Sequence, residues 1–300
     1  MMRYFLHRLL QAAFLLIGVS ILTFLFSALA PGNYFDEMRL NPQISPETVA
    51  ALRAQYQLDR PLPVRYVRWR ARNTLLLTVI ATLIAWALAL PLGIWSATTL
   101  GRLPDRALSG VTAALLVIPD LVLALGLLII AVRTGWFPTG GMVSVGFENL
   151  SPVQKFRDIA LHMELPVIAL VLSALPILVR HVRAAFADVL STPFLRAAAS
   201  HGIQQRTLLY RYALRAAANP LISLFGLSMG ALLSGSLVIE VVMSWPGLGP
   251  LLLEAILARD LYVVIAGVLC STIFLVAGNL LADVLLYLAD PRIRTEVVAR

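Results

Sequence analysis

The sequence predicts an all-α, polytopic membrane protein with six transmembrane helices. Of its 300 residues, 59% are hydrophobic and 13% are charged, whereas a soluble domain has about 25% charged residues. The mean hydropathy is +0.84. The apolar residues are gathered into long runs, and a helix that crosses a bilayer needs about 20 of them. A soluble fold is therefore excluded.

Six apolar runs separated by polar segments define the expected organisation. The third run is interrupted by Pro119 and Asp120, and the fourth contains Pro166 and Pro176. We expect one transmembrane domain over 1–300, with an extracytoplasmic segment at 31–73 and with spans at 9–30, 74–100, 107–132, 159–179, 219–239 and 262–288.

The first run has a rival interpretation as a signal peptide, because Ala28-Leu29-Ala30 resembles a cleavage site. The run is longer than the apolar region of a signal peptide, which has roughly 7–15 residues, and Pro31 follows it directly. We therefore expect an uncleaved first span.

The arginines predict the orientation of the chain. The net charge is +8 and Lys155 is the only lysine. Loops rich in Arg and Lys stay in the cytoplasm, and arginines are most frequent in the segments that are internal when both termini are cytoplasmic. Arginines at 65, 68, 70 and 72 disagree with this assignment.

Several functions are excluded by missing motifs. The chain has no G-x-x-x-x-G-K loop for nucleotide phosphates, no G-x-S-x-G elbow and no H-E-x-x-H zinc pair. Cys270 is the only cysteine, and the arginines lie at the ends of apolar runs, which argues against nucleic-acid binding. We expect a protein without enzymatic activity, cofactor or metal.

A charged insert at 184–218 is the most informative segment. Thr192-Pro193 is predicted to begin a short helix, and Gly202 suits the left-handed conformation that ends it. A third helix follows from Gln204. Such a hairpin is either a rigid lever that docks into a partner or a solvated loop that helps to set the topology.

The residues of this insert resemble a known family. Leu195-Arg196-Ala197-Ala198-x-x-x-Gly202 is similar to the EAA loop of ABC-importer permeases, which docks on the ATPase. The chain resembles, in particular, the B-type permease of the dipeptide/oligopeptide/nickel importer family. The further features that carry this resemblance are Leu58–Leu62, Arg211–Pro220, Glu240 with Ser244–Gly249, Asp283 and Asp290–Arg294.

The resemblance implies a complex of several proteins in a bacterial or archaeal cytoplasmic membrane. Its other members would be a second homologous permease, two cytoplasmic ABC ATPases and an extracytoplasmic substrate-binding protein, with membrane lipid around the permeases. Leu195, Arg196, Ala197, Ala198 and Gly202 would couple this chain to the ATPases. The chain departs from the family pattern at Arg196, where an acid is usual, and at His201, where lysine is usual.

Three residues are candidates for the translocation path. Asp120 lies in the middle of an apolar run, where a charge costs about 2.5–3.5 kcal/mol unless it faces a cavity or a partner. Glu240 and Trp245 lie at the outer end of the fifth span and in the turn after it. The alternatives are a buried, hydrogen-bonded carboxyl for Asp120 and interfacial positions for Glu240 and Trp245.

The expected function is a permease subunit that passes di- or oligopeptides. Nickel or another small solute is the alternative cargo. A membrane scaffold or receptor that recruits a cytoplasmic partner is the alternative of another class. A channel or secondary transporter is disfavoured, because its spans would carry more paired charges or an inverted repeat.

Overall fold

A computed structural model describes residues 70–258 and 260–289, together with scattered helical positions between 10 and 22. Most of the predicted first span, most of the segment 31–73 and the tail after Ala289 lie outside the described residues. The motifs at 58–62 and 290–294 lie there too. All regular secondary structure in the described part is helical.

The described residues between 70 and 289 form nine helices. They are α1 (Arg70–Thr98), α2 (Leu103–Val117), α3 (Asp120–Thr134), α4 (Pro152–Leu190), α5 (Pro193–Ser200), α6 (205–216, with a π-helical turn at Leu208–Ala213), α7 (Ala218–Val242), α8 (Leu248–Leu257) and α9 (Leu261–Ala289). A 3₁₀ turn at Phe147–Asn149 precedes α4. Helices α1, α4, α7 and α9 are long and apolar enough to cross a membrane, and α2 with α3 forms a bent pair that can supply a fifth crossing within the described residues.

The predicted third span, 107–132, is not one straight helix. Helices α2 and α3 meet at an angle of 99°. The cause is Pro119, which has no N–H to donate and which disfavours helical conformation in the residue before it. Ile118 is accordingly extended, with φ −82° and ψ 117°. Asp120 is therefore the first residue of a new helix rather than a mid-helix residue.

The core of the bundle is the contact between α1 and α4, which run in the same direction. Leu77, Ala81, Ala85 and Ala89 are fully buried at a spacing of four residues along α1. A Cβ atom added to Gly93 would lie 2.6 Å from the Val182 side chain. Small residues at this spacing allow two helix backbones to approach closely within a membrane.

A second close contact joins α7 to α9. Added Cβ atoms on Gly226 and Gly230 would collide with Ala282 and Leu275 of α9. The small-residue face of α7 thus packs against a helix of the same chain.

Helix α4 extends beyond the predicted fourth span, 159–179, at both ends. Ser151 caps its start through a reciprocal pair of hydrogen bonds with Gln154, and the helix continues for 39 residues to Leu190. Arg180 and Arg183, which follow the predicted fourth span, therefore project from the same helix. The same rigid element runs from one side of the bundle into the charged insert.

Candidate functional site

The charged insert folds as a helical hairpin. Pro193 is the first residue of α5, and Gly202 has φ +77°, the left-handed conformation predicted for this position. The Gly202 N–H donates to the Ala199 carbonyl at 3.0 Å. Helix α5 thereby lies between the end of α4 and the start of α6. We call the side of the bundle that carries this hairpin the hairpin side.

The predicted coupling residues divide between the two faces of α5. Leu195 is 2% exposed and belongs to the main hydrophobic core, so it fastens α5 to the bundle. Arg196 and Ala197 are exposed and Ala198 is half-buried. The Arg196 guanidinium donates to the Ser191 carbonyl at 2.9 Å. The outward face of α5 is thus available to a partner, while its inner face is fixed.

An ion pair beside the hairpin was missed in the sequence. The Arg183 guanidinium donates to both carboxylate oxygens of Asp105, at 2.6 and 2.9 Å. Asp105 also accepts from the Ser96 hydroxyl at 2.5 Å and from the Gly101 N–H at 2.8 Å. The pair ties α4 to the first turn of α2. The sequence showed Asp105 only as an isolated acid between two arginines, because its partner lies 78 residues away.

Asp120 faces a pocket of about 350 Å³ between α2, α3, α4 and α7. The Ser173 hydroxyl donates to Asp120 Oδ1 at 2.5 Å. A Cβ atom added to Gly235 would lie 3.5 Å from Asp120 Oδ2, so this second oxygen points towards α7. Most other lining residues are apolar. We call this the Asp120 pocket.

Glu240 and Trp245 are both fully buried and do not line the Asp120 pocket. The Gly249 N–H donates to Glu240 Oε2 at 2.7 Å, and the Trp245 N–H donates to the Glu240 carbonyl at 2.9 Å. Their carboxylate and indole fill the turn at 244–249 instead of an open path. The three predicted path residues therefore do not line one common pocket.

The same turn is fastened to the start of α1. The Asn73 amide donates to the Pro246 carbonyl at 2.9 Å, and the Leu248 N–H donates to the Thr74 hydroxyl at 2.8 Å. Ser244 has φ +52°. Added Cβ atoms on Gly247 and Gly249 would collide with the Glu240 carboxylate and the Leu237 backbone. We call this closed arrangement the Glu240 turn.

A second pocket lies between α2 and α4, nearer the hairpin side. Its volume is about 420 Å³, and its polar lining includes Ser109, Thr112, Arg180 and His181. Ile177 lines both this pocket and the Asp120 pocket. The two pockets are therefore neighbours along one helix. We call the second one the Arg180 pocket.

Comparisons with known proteins give the family. Residues 89–295 match the family model described as binding-protein-dependent transport system inner membrane component, and residues 1–80 match the model of its N-terminal region. The fold is similar to that of a structure of the inward-facing MetNI methionine ABC transporter. In that comparison the TM-score is 0.55 at 17% identity, over 72% of this chain and 94% of the other.

Relatives of similar length carry transport names. The chain is 31% identical to the oligopeptide transport system permease protein AppB of Bacillus subtilis, with 98% of this chain and 99% of AppB covered. It is 33% identical to the glutathione transport system permease protein GsiC of Salmonella paratyphi A and 30% identical to the dipeptide transport system permease protein DppB of Escherichia coli, with the same coverage. The chain therefore belongs to the family of binding-protein-dependent transport system inner membrane components.

Proposed function

We propose that this chain is one of two permease subunits of an ABC importer that carries short peptides. Two ATPase subunits would dock on the hairpin side, and a binding protein would deliver peptide on the opposite side. Both termini would then be cytoplasmic. The chain contributes half of the path and the surface that receives the ATPase motion, and ATP is hydrolysed by its partners.

The observation that carries this proposal is the continuity of α4 with the hairpin. Helix α4 runs for 39 residues and ends three residues before α5 begins. Leu195 holds α5 to the core, whereas Arg196 and Ala197 face outward. A push on the outward face of α5 would therefore move the end of a helix that also lines both pockets.

The open side of the Asp120 pocket supports a second permease subunit. Ile118, Ile177 and Leu227 line this pocket and are 39%, 47% and 67% exposed. A carboxylate on such a surface is costly against lipid, because a charged group in the bilayer centre costs about 2.5–3.5 kcal/mol. A facing subunit would close the pocket into a water-filled path.

Peptide is the cargo favoured by the relatives. Their names refer to oligopeptide, dipeptide and glutathione transport, and glutathione is itself a peptide. A carboxylate in a mostly apolar pocket suits a cargo with a free amino group and apolar side chains. The experiments below distinguish peptide from nickel, the alternative cargo.

The coupling role is tested in proteoliposomes that hold the full complex of permeases and ATPases, with the binding protein and a labelled dipeptide added. Gly202→Pro should abolish uptake and peptide-stimulated ATP hydrolysis, because proline fixes φ near −65° where the chain requires +77°. Gly135→Pro is the matched control. Gly135 has φ +67° and an equally open surrounding, but it lies at the far end of α3.

A second variant tests coupling without altering the backbone. Ala197→Trp places a large side chain on the exposed face of α5, whereas Leu100→Trp places it on the exposed turn between α1 and α2. We expect Ala197→Trp to lose uptake while the isolated permease keeps its thermal stability, and Leu100→Trp to retain uptake. Full uptake by Ala197→Trp and Gly202→Pro would overturn the coupling role. Stimulation by nickel but not by peptides would overturn the proposed cargo.

A further inference from the structure

We propose that α4 carries a two-ended binding track for free peptides, in which Asp120 receives the amino group and Arg180 receives the terminal carboxylate. This inference rests on the proposed function and names the part of the cargo that each pocket recognises. The track consists of the Asp120 pocket, the Arg180 pocket and Ile177 between them.

The two pockets lie along one face of α4. Ser173, Ile177, Arg180 and Ala184 follow one another at intervals of four, three and four residues, which places them on the same side of a helix. Ser173 lines the first pocket, Arg180 and Ala184 line the second, and Ile177 lines both. A cargo that leaves one pocket along this face therefore enters the other.

Asp120 has one carboxylate oxygen left for a cargo. Oδ1 accepts from Ser173, while Oδ2 points across the pocket towards Gly235. Asp120 is also the first residue of α3. The positive end of a helix stabilises a nearby negative charge by about 0.3–1 kcal/mol. An ammonium group is the complementary ligand for it.

Arg180 differs from the neighbouring Arg183 in its surroundings. Arg183 is paired with Asp105 through two hydrogen bonds. Arg180 is exposed in the Arg180 pocket, and it has no ion pair or hydrogen bond within the part of the chain that the structure describes. Its guanidinium can therefore bind a carboxylate through two parallel hydrogen bonds.

The spacing along α4 suits a short peptide. Ser173 and Arg180 are seven residues apart, which corresponds to about 10 Å along a helix. An extended peptide advances about 3.5 Å per residue, so a chain of about two or three residues reaches from one charged group to the other. The wall between the two charged groups is formed by the apolar residues Ala174 and Ile177, which would select only weakly among peptide side chains.

The test compares one tripeptide in three forms: free, acetylated at its amino group, and amidated at its carboxyl group. Uptake by the reconstituted complex is measured for the unmodified permease, Asp120→Asn and Arg180→Gln. We expect Asp120→Asn to reduce uptake of the free and amidated forms about tenfold and to leave the acetylated form unchanged, because one charged hydrogen bond is worth roughly that factor. Arg180→Gln should reduce the free and acetylated forms and leave the amidated form unchanged.

The same binding protein delivers peptide to every variant. The preference of the binding protein for one peptide form therefore cancels when each uptake rate is divided by the rate of the unmodified permease for that form. Arg106→Gln is the control, because Arg106 is exposed on α2 but lines neither pocket. Equal losses for all three peptide forms, or no loss, would overturn the track. If the unmodified permease took up none of the three forms, the proposed cargo would be overturned instead.

Discussion

Two carboxylates in the membrane-spanning part of this chain have opposite surroundings. Glu240 is fully buried, accepts a hydrogen bond from Gly249 and is covered by the Glu240 turn. Asp120 is only partly buried, accepts one hydrogen bond from Ser173 and faces an open pocket. Gly235, which lies opposite Asp120, is five residues before Glu240 on the same helix.

The difference shows what an intramembrane acid signifies. A charge or a neutral carboxyl in an apolar region needs a partner, but the partner can be the protein itself or a cargo. At Glu240 the backbone of the following turn supplies it. At Asp120 a serine supplies it to one oxygen, and the second oxygen faces the open pocket, whereas the second oxygen of Glu240 is buried. We infer that Glu240 holds the fold and that Asp120 belongs to the path.

We expect the largest difference in stability between substitutions of the two glycines that face these acids. Gly249→Ala should destabilise the subunit by about 3 kcal/mol or more, because the added Cβ atom collides with the Leu237 backbone and overpacking typically costs about 1–3 kcal/mol even where side chains can move. Gly235→Ala is the matched control, since its Cβ would be in ordinary contact with Asp120. Thermal unfolding in detergent measures both. Equal stability of the two variants would contradict a closed Glu240 turn.

Removing the buried acid should have a smaller effect. Glu240→Ala leaves the Gly249 N–H without its acceptor, and an unsatisfied buried group costs about 1–3 kcal/mol. Glu240→Gln keeps the shape and an acceptor oxygen, so we expect it to lose less. The same thermal-unfolding assay measures the stability of both variants. If Glu240→Ala were as stable as the unmodified subunit yet failed to transport, Glu240 would be a path residue after all.

Removing the pocket acid should change stability least. Asp120→Asn keeps the size of the side chain and an acceptor for Ser173, so the expected loss is under about 1 kcal/mol, the usual value of an acid at a helix start. Complex assembly, followed by size-exclusion chromatography, should be normal while uptake of free peptides falls. Loss of assembly would instead assign Asp120 to a subunit contact.

Local features of the fold could be read from the sequence. Apolar runs marked the long helices, Pro193 marked the start of α5, and Gly202 marked its end. These features depend on neighbouring residues, which a sequence pattern displays directly. Asp120 was also identified as a polar residue that needs a partner, because its cost in an apolar run does not depend on the fold.

The remaining features depend on residues far apart in the chain. The Glu240 turn is fastened to Asn73 and Thr74 across more than 170 positions, so nothing near Trp245 could show that its ring is buried. The Asp105–Arg183 pair was missed for the same reason, because its two residues are 78 positions apart. The 99° angle at Pro119 was not predicted, because a proline indicates a break but the packing of α2 and α3 decides how far the chain turns.

The most direct test of the path is the accessibility of Ile177, which lines both pockets. In a Cys270→Ala background, Ile177→Cys in the assembled complex is treated with a charged, membrane-impermeant thiol reagent, with and without a transported peptide. We predict a reaction that slows when the peptide is present. No reaction, or a rate that peptide leaves unchanged, would place Ile177 against lipid or a partner and would contradict a path along α4.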